Sequence, residues 1–199
     1  MLWKYVAAAG VLGATAVWVL TAQQGEARAA IDNSLKAMGA QNLKTVVING
    51  EGFDACVGQG FSGKDHWRRF SNKNYVRSID FENRGWRIQR IRGEGEIPPR
   101  GGCNAGPVFD QTQNTVTNVP PNAPWNAQLD YIMQPTGFLR VAATKDTSVK
   151  SETTGGKKYT VLSFMGDNKS PVSGYIGPEG YLDRVSTTID NNVLGDIVY

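Results

Sequence analysis

The 199 residues carry 21 Lys and Arg against 18 Asp and Glu, a formal charge of +3 with pI near 8.9, a balance too mild to argue for nucleic acid. A single histidine, His66, rules out a multi-histidine zinc site built from this chain. The length suits one ordinary core rather than two.

From Tyr5 to Ala22 the chain is almost continuously apolar and uncharged, following Lys4 and closing toward Ala27-Arg28-Ala29, a small-x-small cleavage signal ahead of Ala30. That is the layout of a secretory signal peptide. The stretch is also long enough to cross a bilayer as an uncleaved anchor. Residues 1–29 are therefore read as signal peptide or membrane anchor. The remainder, 30–199, is read as one exported domain, periplasmic or secreted, or held to a membrane through residues 5–22.

Ile31, Leu35 and Met38 recur at i, i+4 and i+7 with Gly39 at the stop, which predicts a short amphipathic helix from Ala30 to Met38. Thr45-Val46-Val47-Ile48, β-branched and bounded by Gly50 and Gly52, predicts the first strand. Tyr75–Phe81 and Trp86–Arg92, joined by Glu82-Asn83-Arg84-Gly85, predict an antiparallel hairpin. Alternation puts Tyr75, Arg77, Ile79 and Phe81 on one face of the first strand. It puts Trp86, Ile88, Arg90 and Arg92 on one face of the second, with Trp86 and Ile88 buried and Arg87 and Gln89 opposite.

Gly93 to Gly106, with its Pro and Gly pairs, reads as loop, and Thr115–Val119 as a short strand stopped by Pro120-Pro121. Trp125, Leu129 and Ile132 repeat at helical spacing. After Pro135 a second helix carries Phe138, Leu139, Val141 and Ala142. Short strands then follow over Ser148–Thr153, Tyr159–Phe164, Val172–Ile176, Tyr181–Ile189 and from Leu194 onward, with Gly and Asn turn signals between them. The expected fold class is mainly β (α+β), with an antiparallel sheet rather than parallel βαβ units. Leu194–Tyr199 is an apolar β-prone run without a turn or polar tail, which predicts the front of a longer protein.

Few residues suggest chemistry. His66, beside Trp67, Arg68 and Arg69, reads as an ordinary loop or surface histidine, and no Gly-x-Ser-x-Gly elbow accompanies it. Glu94 and Glu96 could share one side of a strand, but Arg90, Arg92 and Arg100 around them favour a solvated ion-pair network over a catalytic carboxylate pair. Arg68, Arg69, Arg77, Arg84, Arg87, Arg90 and Arg92 interleave with Trp67, Phe70, Tyr75 and Trp86. This reads as a wet sheet face whose long side chains cover aromatics, with anionic head groups a better-suited partner than nucleic acid. Cys56 and Cys103 can pair in an oxidising compartment, or remain two thiols, since a bridge needs Cα atoms within about 7 Å. No catalytic residue, cofactor or metal ligand is assigned within the chain.

Gly58-Gln59-Gly60-Phe61 with Trp67, Tyr75–Phe81, Arg100-Gly101-Gly102, Gln134–Leu139, Gly174-Tyr175-Ile176 and Thr188–Asp196 together resemble the N-terminal region of exported bacterial metallo-β-lactamase-fold hydrolases. The resemblance implies a domain similar to the lipoprotein carriers LolA and LolB, a half-open antiparallel β-barrel with helices covering the concave face. It further implies that a zinc-binding His-x-His-x-Asp-His domain follows, so that zinc belongs to that domain and not to this chain. The implied role is a non-catalytic domain positioning an apolar substrate or a membrane. The alternative is a stand-alone periplasmic carrier of lipid or another apolar ligand. Trp125, Leu129, Ile132, Phe138 and Leu139 are the candidates to fill the concavity, either as packed core or in company with an apolar ligand.

Overall fold

A computed structural model describes residues 23–55, 60–96, 110–189 and 193–199, and is mainly β. The apolar stretch 5–22 lies outside these residues, as do Cys56, Cys103 and Arg100. The chain divides into two compact units, one of them Lys44–Pro120 and the other built from residues 23–43 together with Pro121–Tyr199.

The Lys44–Pro120 unit is a four-stranded antiparallel meander: β1 Thr45–Ala55, β2 Arg69–Asp80, β3 Gly85–Gly95 and β4 Gln111–Asn118, in the order β1-β2-β3-β4. The hairpin is where the sequence places it, but its strands run further. Asp80 closes the turn by accepting the backbone N–H groups of Glu82 and Asn83 at 2.9 and 3.0 Å. Such Asx contacts offer the chain an alternative to continuing the ladder. Arg84 then takes a left-handed φ of 53°, and Phe81 belongs to this turn rather than to the strand. β1 does not stop at Gly50 and Gly52. It passes through them by a register shift and continues to Ala55. Glycine that reads as a boundary here marks a bulge. β3 likewise takes in Gly93 and Gly95, which the sequence assigns to loop.

The other unit contains a helix α1 over residues 23–37, two short helices α2 (Trp125–Ile132) and α3 (Pro135–Ala142), and a five-stranded antiparallel meander. Its strands are β5 Ser148–Thr154, β6 Lys157–Met165, β7 Pro171–Ile176, β8 Leu182–Ile189 and β9 Val193–Val198. α3 opens with Pro135, where a missing N–H costs nothing. The sheet is shaped to receive the helices. A Cβ on Gly174 of β7 would collide with the Phe138 ring, and one on Gly166 would meet Trp125 at 2.5 Å. Small residues in the sheet are thus sockets for large ones on the helices.

α1 differs from expectation in extent and in face. It starts well before Ala30 and includes Ala27-Arg28-Ala29, and its buried stripe is Ala27, Ile31 and Ser34. Leu35 and Met38 are only partly covered. Arg28 donates to the Ala143 carbonyl at 3.2 Å, fastening the first turns of α1 to the end of α3. Among the described residues no helix is long and apolar enough to cross a membrane.

Candidate binding face

Cross-strand register gathers one face of the four-stranded sheet. Val46 opposes Ile79, which opposes Trp86, which opposes Thr117. One step along, Ile48, Arg77, Ile88 and Thr115 form the next row. Period-2 alternation then brings Arg90 and Arg92 to the same side as Trp86 and Ile88. Phe70, Ile79 and Trp86 are buried, while Arg87 and Gln89 on the opposite side are exposed. The alternation read from the sequence holds for Trp86, Arg87 and Gln89, while Ile88 is only part-buried.

The charges on this face are unevenly matched. Asp54, carried there by the continuation of β1 past its bulge, stands 3.6 Å from Arg90 and 3.2 Å from Arg92. Arg90 also donates through Nε to Gln113 Oε1 at 2.7 Å. The Arg92 guanidinium lies 3.9 Å from the centre of the Phe70 ring, and Arg77 lies 5.1 Å from that of Trp86. These are cation–π distances. Among the described residues no carboxylate pairs with Arg77, whose Nε and Nη2 are buried without a hydrogen-bond partner. Asn72 Oδ1, on a residue 7% exposed, is likewise unpartnered.

Of the two carboxylates expected in an ion-pair network, the Glu94 side chain lies outside the described residues and Glu96 is paired. Glu96 meets His66 Nε2 at 2.8 Å, while Arg90 and Arg92 turn to Asp54. The reason is the bulge in β1, which brings a carboxylate from a distant stretch of sequence alongside the arginines. His66 lies in a loop, as read, but it is part-buried and paired with a carboxylate. Among the described residues no group of three or more His, Cys, Asp or Glu side chains stands close enough to hold a metal ion.

The five residues expected to fill a concavity come together on α2 and α3. Leu129, Ile132, Phe138 and Leu139 are buried, and the Phe138 and Phe164 rings lie 5.5 Å apart. Trp125 is part-covered, with a buried, unpartnered Nε1. Sequence periodicity missed Tyr131, which is buried with them. It also missed Asp54, for which no local signal exists.

Comparison with protein-family models, curated proteins and solved structures finds no match to the chain.

Proposed function

We propose that the chain is a non-catalytic exported domain standing ahead of a metallo-β-lactamase-fold hydrolase, for which it positions an apolar substrate or a membrane surface. The carrying observation is the order of elements: a helix, a four-strand antiparallel meander, two short helices laid on a sheet face, and a five-strand antiparallel meander. That order suits a half-open barrel of the LolA and LolB kind, with helices on its concave side. The sheet faces offer rings and branched chains, with a cluster of arginines beside them on the four-stranded sheet, and such sites combine apolar lining with a few polar groups. Any zinc belongs to the domain that follows.

The alternative, a stand-alone periplasmic lipid carrier, draws support from a groove of about 410 Å³ between α1 and the β7–β8 turn, lined by Ala29, Ala30, Ser34, Ile176 and Pro178. Ser34 Oγ is buried there without a partner. Reading the gene past the Tyr199 codon tests the choice. A frame continuing into clustered histidines supports the hydrolase partner, and a stop codon overturns it in favour of the carrier.

A further inference from the structure

Arg77 presents an unusual combination. Its two buried, unpartnered nitrogens, Nε and Nη2, are the pair whose N–H bonds point the same way along one edge of the guanidinium. This is the edge that grips a carboxylate or phosphate through two parallel hydrogen bonds. A buried guanidinium without an acceptor is costly, and native proteins pair such groups. The described carboxylate on this face, Asp54, is already held by Arg90 and Arg92. What surrounds Arg77 is apolar: Ile48 and Ile88 oppose it on the neighbouring strands, and Trp86 lies under the guanidinium. Ile48 is 44% exposed, so the row opens to solvent at β1, and the part-buried Arg77 side chain has to turn outward there for its two covered nitrogens to meet an incoming molecule.

We infer that Arg77 is an anion-recognition residue, and that the ligand of this face is an amphiphile: an oxyanion with two acceptor oxygens, carboxylate or phosphate, carried on an apolar body. The inference rests on the proposed apolar-ligand reading and adds the acidic group to it. The oxyanion closes the free edge of Arg77, and the apolar body covers Ile48, Ile88 and the rim of Trp86. Arg90 and Arg92 remain with Asp54 and contribute long-range attraction.

Calorimetric titration of the whole chain, as its host processes it, with dodecanoate, dodecanol and acetate tests this. A bidentate charged contact in a dry setting should make dodecanoate bind about 10- to 100-fold more tightly than dodecanol, with dodecyl phosphate following dodecanoate. Arg77→Met should abolish that preference, keep dodecanol binding and melt no lower than the native chain. Arg77→Lys should restore only part of it, because an ammonium lacks the fork. Equal binding of dodecanoate and dodecanol, or a preference that survives Arg77→Met, overturns the inference while leaving the apolar-ligand function standing. Acetate or inorganic phosphate bound as tightly as dodecanoate overturns the amphiphile in favour of a free anion. Failure of all of them to bind overturns both readings.

Discussion

The five-stranded and four-stranded sheets are both antiparallel meanders, yet they treat polar groups differently. In the five-stranded sheet three cations meet acids: Lys150 with Glu152 at 2.9 Å, Lys157 with Asp183 at 2.5 Å, Arg184 with Asp196 at 2.7 Å. Hydroxyls pair too, Ser163 with Ser173 at 2.8 Å. The four-stranded sheet leaves Arg77 and Asn72 with unpartnered buried atoms, although both sheets carry a register shift and exposed apolar residues, Val47, Phe53 and Val116 in one and Met165, Ile197 and Val198 in the other. Local agreement among packing, pairing and pattern marks a region selected for stability, and departures from it gather where something else is being served. On the proposed reading, the contrast separates a scaffold from the surface that would take a ligand.

The largest effects should come from the rings in each sheet. Phe138→Ala and Trp86→Ala each remove a buried ring and should cost about 3–5 kcal/mol in urea melts, against less than about 0.5 for the exposed Gln89→Ala. The Phe138 site carries a sharper test, since Gly174→Ala should cost about 1–3 kcal/mol alone and much less in the Phe138→Ala background. Equal costs in both backgrounds would mean that the ring is not what demands glycine.

Next in size is the N-terminal end of α1. Ala27 is 3% exposed whereas Ala29 is exposed. Ala27→Asp should therefore cost about 2–3 kcal/mol by burying a carboxylate without a partner, and Ala29→Asp almost nothing. Matching melts for the two would detach these turns of α1 from the core.

A smaller effect is expected at Tyr199. Its hydroxyl donates to the Met133 carbonyl, and burial pushes the phenol above its ordinary value of 10.0. The unfolded chain then releases that proton first, so this contribution is whole below pH 10 and declines as pH rises beyond it. Tyr199→Phe should lose about 0.5–1.5 kcal/mol at neutral pH and flatten the alkaline fall in stability. An unchanged alkaline slope would assign the fall to other groups.

The smallest effect addresses the contrast itself. Arg184→Met removes a cross-strand pair in which each partner is about one-third exposed, and should cost at most about 1 kcal/mol after solvent screening. Arg77→Met should cost nothing or stabilise the ligand-free protein. A clear loss at Arg77 would place that residue among the structural pairs and dissolve the distinction.

Much of the fold is legible in the sequence because it rests on short-range rules. The β2–β3 hairpin, the turn at 82–85, α2, α3 and the run of strands from Ser148 onward follow from alternation and glycine punctuation. What escapes such rules depends on distant neighbours. β1 reads as ending at Gly50 because a bulge and a terminus look alike without a partner strand. The buried stripe of α1 includes Ser34, which no hydrophobic period would choose. Arg77 is visible as a basic residue on an aromatic face, but its missing acceptor becomes evident only once Asp54 is seen in place.

The early start of α1 bears on how its first turns can be opened. Ala27-Arg28-Ala29 is wound into a helix, with Ala27 packed inward and Arg28 tied to the Ala143 carbonyl. A protease takes its substrate as extended backbone, so it reaches these residues only after the turns unwind and Ala27 leaves its seat. The rate of cutting there then reads the local opening of α1, not the residue types at the bond.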